Sequence, residues 1–148
     1  MTQKLTDFLT NAKNKDFAVQ SGTQMHARLQ HTIVDGEHTT GDTDTIKIIQ
    51  SRPDLLPFFT ANAQTEVPIA GNIHGHFISR RIDRLIINHK TKTIDFIDYK
   101  TDANKNTFVD KYKFQLNEYA QLLRSACPGY KINGYILWLH DWTLDKII

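Results

Sequence analysis

Two apolar runs that carry acids, joined by a short polar break, constrain this chain more than any other feature: Arg81-Ile82-Asp83-Arg84 leads into the first, and Ile94-Asp95-Phe96-Ile97-Asp98-Tyr99-Lys100-Thr101 is the second. Both have the two-residue alternation of strands, predicted over residues 81–88 and 93–99. The polar residues Asn88-His89-Lys90-Thr91-Lys92 between them predict a hairpin turn, which would bring Asp83 near Asp98. On the second strand Ile94, Phe96, Asp98 and Lys100 project from one face, with Asp98 and Lys100 roughly 6.6 Å apart along the strand. Charge that continues an apolar face is costly unless it finds a partner residue, an ion or an exposed strand end.

The chain has 148 residues, 40% of them hydrophobic, which is enough for one ordinary core and hence a single domain over residues 1–148. Eighteen Lys and Arg against sixteen Asp and Glu leave a net charge of +2, too little to attract a polyanion by bulk electrostatics. Any nucleic-acid contact must be local. The candidates are Arg80, Arg81 and Arg84, then Lys100, Lys105, Lys111 and Lys113, although Asp83, Asp102 and Asp110 dilute both groups. A solvated charged face is the plainer reading of either group. The single cysteine, Cys127, excludes an internal disulfide and any all-cysteine zinc or iron–sulfur site within the chain, and fits a reducing cytoplasm. No apolar run in residues 1–10 suggests a signal or a membrane span, so a soluble, cytoplasmic protein with no membrane partner is expected. The seven glycines include no G-x-x-x-x-G-K-[ST] run, so no ATP site is expected here.

The rest reads as one α/β succession. Leu5, Phe8 and Leu9 suggest a helical extension over residues 1–19. From a Ser21 cap, Gly22, Met25, His26, Leu29 and Ile33 fall on one helical face, which turns His26 inward. Residues 34–45 read as a loop, followed by short helices at 46–49 and 55–59 broken by Pro53 and Pro57; the whole of 34–62 is expected to be a peripheral insertion. Strands are predicted at 66–70 and 74–79 before the acid-bearing pair. Residues 109–126 regain helical spacing, with Tyr112, Gln115, Leu116, Tyr119, Leu122 and Leu123 on one stripe, and Pro128-Gly129 ends them. Residues 131–140 form the last predicted strand.

This order of helix, three-strand antiparallel meander, helix and strand, in a mixed central sheet with flanking helices, resembles the restriction-endonuclease-like core of the PD-(D/E)xK nucleases. The motifs sharpen the resemblance to the nuclease domain of the RecB and AddA family: Gly22-x-x-x-His26, Glu66-Val-Pro-Ile, Gly71, Ile78-Ser79-x-Arg81-Ile82-Asp83-Arg84-Leu85, Ile97-Asp98-Tyr99-Lys100-Thr101 and Gln115-Leu116-x-x-Tyr119, together spanning a core of residues 20–140. Ile82 stands where the superfamily name has a proline. The resemblance implies a divalent metal, Mg²⁺ with Mn²⁺ as an alternative, held by His26, Asp83, Asp98 and the backbone carbonyl of Tyr99, with Lys100 as the catalytic lysine. It places Gln115 and Tyr119 beside the site and the DNA backbone. It further implies a DNA exonuclease of recombination or double-strand break repair, partnered by a helicase subunit or by the rest of a helicase-nuclease polypeptide; the single cysteine excludes the iron–sulfur cluster of some relatives.

General chemistry points the same way. Mg²⁺ prefers carboxylate, carbonyl and water oxygens and bridges to substrate phosphates, and histidine adds tolerance for Mn²⁺. Arg81 and Arg84 are candidate substrate contacts, and Glu66 a candidate for reaching the metal through water. Each residue also has a plain structural reading. Alone, His26 reads as a hydrogen-bonded core histidine, Asp98 with Lys100 as a surface ion pair, Asp95 as a surface charge, and Tyr112 and Tyr119 as core. Gln115 interrupts an apolar stripe and reads equally as site-facing or helix-edge. His74 and His76, two apart on a predicted strand, lack a third ligand at a suitable interval and read as a polar strand face or a substrate groove. The competing function is a noncatalytic DNA-binding or helicase-associated module that retains the nuclease fold.

Overall fold

The computed structural model describes Gly22 and residues 24–148. The expected helix around Leu5, Phe8 and Leu9 and the Ser21 cap lie outside the described residues. Helical residues 24–30 (α1) lead into a small hairpin of β1 (Ile33–Asp35) and β2 (His38–Thr40), then α2 (Thr43–Gln50) and a 3-10 turn at Leu56–Phe59. The rest is β3 (Gln64–Ile73), β4 (His76–Asn88), β5 (Thr93–Lys100), α3 (Lys105–Ala126), β6 (Lys131–Trp138) and β7 (Thr143–Lys146). One sheet has the order β3-β4-β5-β6-β7, with β5 and β6 parallel and the other pairs antiparallel. Parallel neighbours need a long crossover, which α3 supplies.

The middle of the sheet is covered on both sides, and the alternation in β5 shows how. Ile94 and Phe96 join the core under α3 with Leu116, Tyr119 and Trp138, whereas Ile97 and Tyr99 join a second core with Leu29, Ile49, Leu55 and Phe59. A strand buried on both faces carries apolar residues on both, as residues 94–99 do apart from Asp95 and Asp98. The second core corrects the expectation for residues 34–62. They are not peripheral, because Ile49, Leu55 and Phe59 are fully buried and form the lid over one face of the sheet. Nor are residues 34–45 a plain loop. Asp42 caps α2 by accepting from the Thr45 backbone N–H at 3.1 Å and its hydroxyl at 3.0 Å, so the helix begins three residues before the first apolar position.

Residues 64–88 form two long strands where shorter ones are suggested by sequence. They meet at His74-Gly75, with φ of 51° and 79°, the left-handed pair of a tight two-residue hairpin. His74 is therefore a turn residue and does not share a strand face with His76. β7 extends the sheet beyond the last predicted strand: Leu137 pairs with Leu144, and Trp138 Nε1 donates to Asp145 at 2.8 Å.

Gly134 marks the tightest packing in the sheet. A methyl at its Cα would sit 2.5 Å from the Phe96 ring and 2.9 Å from Ile148. Gly134→Ala is expected to cost about 1–3 kcal/mol, read as a lower urea midpoint at unchanged m-value; an unchanged midpoint would show that the ring moves aside freely.

Candidate functional site

The acid-bearing strands part where the candidate residues lie. Backbone pairing of β4 with β5 runs from Asn88↔Thr93 to Arg84↔Ile97 and stops. The next donor on β5, the Tyr99 N–H, is taken by the Asp83 carboxylate at 2.7 Å. A side chain has replaced the neighbouring strand as acceptor, so Asp83 fills the gap between the two strands. β4 is irregular here: Ile82 and Leu85, three apart, both reach the core under α3, against strict alternation. Opposite them Glu66 has a φ of 52°.

Asp98, 4% exposed, and Asp83, 8% exposed, are buried together. Burial, then the adjacent Asp98 carboxylate and Glu66, push the Asp83 carboxyl up to about 8, against the lowering effect of the Tyr99 N–H. Asp98 Oδ2 lies 2.7 Å from Lys100 Nζ but outside hydrogen-bonding angles, and it is the one buried side-chain polar atom without a directed partner among the described residues. His26, half-buried on α1, sets its Nδ1 3.6 Å from Asp83 Oδ1 and packs edge-on to Tyr99 at 5.4 Å. The lysine is held from the other side. Its Nζ donates to Gln115 Oε1 at 2.9 Å and rests 4.2 Å over the Tyr112 ring. Gln115 Nε2 in turn donates to the Tyr119 hydroxyl at 2.7 Å, and the Tyr112 hydroxyl donates to the Asp102 carboxylate.

His26, Asp83, Asp98, Lys100, Gln115 and Tyr119 thus come together, from α1, β4, β5 and α3. Gln115 faces the site; it is not a helix-edge residue. Glu66 lies near enough to Asp83 for its charge to help raise that carboxyl, and Arg81 stays largely exposed, its Nη1 3.6 Å from Glu66. Arg84 requires a correction. It is 1% exposed, and its guanidinium donates to the Tyr99 hydroxyl at 2.9 Å and to the carbonyls of Phe58, Leu29 and Thr32, with Phe59 stacked at 4.3 Å. A side chain with its donors spent inside the protein is not a substrate contact. Tyr112 was legible only as core, although its position three residues before Gln115 on the same helix stripe put it beside Lys100.

A divalent cation fits the chemistry of this donor set. Of two adjoining buried carboxylates only Asp98 meets the lysine, and its Oδ2 lacks a directed hydrogen bond, an arrangement that a hard cation would neutralise. Among the described residues no three His, Cys, Asp or Glu side chains already close into a metal cluster. The two aspartates adjoin each other, and the imidazole stands on the Asp83 side.

No protein-family model matches the chain. Over 57 residues, 37% of its length, the chain is 39% identical to the AddA subunit of the ATP-dependent helicase/nuclease of Lacticaseibacillus casei, and the protein of the same name from Lacticaseibacillus paracasei matches to the same extent. That stretch is AddA-like. The match spans 5% of the length of each of these relatives. No described helix is long and apolar enough to cross a membrane.

Proposed function

We propose that this chain is a divalent-metal-dependent DNA nuclease of the PD-(D/E)xK type, acting in recombination or double-strand break repair beside a helicase. The observation that carries the reading is the pair of buried carboxylates, Asp83 and Asp98, beside a lysine fixed by α3. The partial likeness to helicase/nuclease proteins supports it.

In this reading His26, Asp83, Asp98 and the Tyr99 carbonyl hold Mg²⁺ or Mn²⁺. When bound, the ion supplies Lewis-acid polarisation of a phosphoryl oxygen and lowers the pKa of a water, several kcal/mol of stabilisation. The remaining work falls to the side chains. Lys100 Nζ, fixed between Gln115 and Asp98, orients the attacking water and offsets negative charge developing on the phosphate. Gln115 accepts from Nζ and donates to Tyr119, so it keeps the ammonium from swinging wholly onto Asp98. Burial keeps Asp83 and Asp98 from hydrogen-bonding bulk water, which leaves their oxygens available to a cation. Arg81, exposed one strand repeat from Asp83, is placed to meet a backbone phosphate.

Incubation of linear and circular DNA with Mg²⁺ or Mn²⁺ tests the reading. Degradation of the linear form alone supports an exonuclease, cleavage of both an endonuclease, and binding without metal-dependent cleavage of either supports the noncatalytic module. Gln115→Leu is expected to lower kcat about tenfold or more with little change in KM, because it releases Lys100 without touching substrate. A rise in KM alone would reassign Gln115 to substrate binding.

A further inference from the structure

Beyond Arg84 the β3–β4 ribbon leaves β5, since residues 76–83 of β4 pair with β3 alone. Its two faces differ. Toward α3 it turns Val67, Ile69 and Ile82 into the core, and Arg80 lies 3.5 Å from Glu118. By alternation along the register Pro68↔Arg81, Ala70↔Ser79 and Asn72↔Phe77, the other face carries Phe77, Ser79 and Arg81 in a row, with Asp83 next in the same series. Phe77 is 72% exposed, and the Arg81 side chain 68%. The β3 residues beside this row are small or short, which leaves a shallow floor next to the ring. Arg81 approaches Glu66 only to 3.6 Å without a hydrogen bond, so its donors remain open to an anion.

We propose that this free face is a track for single-stranded DNA leading outward from the acid pair, with Arg81 on the sugar-phosphate backbone and Phe77 stacked on a base. From Asp83 to Phe77 the track runs roughly 20 Å, room for several nucleotides. The inference rests on the nuclease reading for the end at which the strand enters the site. An exposed ring stacks on any unpaired base, and a cation follows the backbone without reading sequence. Duplex DNA hides the base faces, which favours the single strand. The β3 edge is an unfavourable place for a partner strand to add instead, because Pro68 lacks an N–H and Glu66 interrupts the extended backbone.

The test is fluorescence anisotropy with labelled oligothymidylates of about 2 to 12 nucleotides in chelator, where binding is read without cleavage. Affinity is expected to climb with length in the unaltered chain. Phe77→Ala should flatten that climb and weaken binding of the longest oligomer about tenfold to a hundredfold, and Arg81→Ala should reduce the salt dependence by about one released counterion. His76→Ala, on the α3 side of the same ribbon, serves as the control and should keep the length dependence. Unchanged affinity in Phe77→Ala, or competition by blunt duplex equal to that by single strand, overturns the track. Cleavage of linear DNA with Mn²⁺ is scored separately. Length-dependent binding lost in Phe77→Ala, with no cleavage by the unaltered chain, would sink the nuclease reading and leave the track standing; cleavage with indifferent Phe77→Ala binding would do the reverse.

Discussion

Asp98→Asn is expected to lower metal-dependent cleavage of linear DNA by about 10²- to 10³-fold or more, with a folded, cooperatively melting protein. The substitution is nearly isosteric, so Ile94 and Phe96 on the same face of β5 keep their packing under α3. What it removes is the charge on a buried carboxylate whose Oδ2 has no directed hydrogen bond and which stands 2.7 Å from Lys100 Nζ. An amide is a weaker ligand for a hard cation. Lys100→Gln should reach a comparable loss of kcat by a different route, leaving both carboxylates but no ammonium beside the phosphate. Steady-state cleavage of a labelled linear duplex with a single-stranded end measures both. Wild-type rates in either variant would remove the proposed mechanism, whatever the fold.

Arg84→Lys is expected to destabilise the protein by roughly 3–6 kcal/mol, a large part of the ~5–15 kcal/mol that holds a typical domain together. The guanidinium satisfies one hydroxyl and three carbonyls from Leu29, Thr32 and Phe58, which ties β4 to α1, to the turn after it and to the 3-10 segment. An ammonium has three donors and no planar fork, so it leaves acceptors unpaired in a dry site at about 1–3 kcal/mol each, and it gives up the stacking on Phe59. Urea denaturation followed by circular dichroism reads the loss. A midpoint within error of wild type would mean that water reaches these carbonyls and that Arg84 is not the staple of the second core. A substrate contact predicts the opposite pattern, with weaker DNA binding at unchanged stability.

Asp83→Asn should act differently from either. The amide oxygen can still accept the Tyr99 N–H, while the cost of holding a carboxyl protonated far above its ordinary range beside Asp98 disappears. In chelator the variant is expected to be more stable by roughly 1 kcal/mol, about 2–4 °C in melting temperature at this size, and to lose the stabilisation that Mn²⁺ gives the unaltered chain. A melting point that falls in chelator would show that the carboxylate is worth more as a structural acceptor than it costs as a charge.

The acid-bearing hairpin was legible because two local signals agreed there: strand alternation on either side of a polar turn fixes its register, and the observed pairing ends on Asn88↔Thr93 as that pattern requires. The stripe Tyr112, Gln115, Tyr119 was legible for the same kind of reason, a helical period that brings residues three and four apart onto one face. What failed depended on distant partners. Arg84 looks like any exposed basic residue until the chain from 29 to 58 is seen to wrap its carbonyls around it. Residues 34–62 look peripheral because residues 35–45 are polar and Pro53 and Pro57 cut the apolar positions after them into short runs, and only the second sheet face shows what Ile49 and Phe59 cover. β7 was missed because four residues carry too short an alternation, and their pairing to β6 lies in the partner strand. The break in β4 at Asp83 has no sequence signature beyond the acid itself.

The central claim is that the oxygens of Asp83 and Asp98 converge on one divalent cation. Anomalous diffraction at the manganese edge from crystals grown with Mn²⁺ tests it most directly. The account predicts one strong peak about 2.0–2.4 Å from an oxygen of each aspartate, with the His26 imidazole drawn toward it. A peak elsewhere, or none while Lys100 stays beside Asp98, would contradict it.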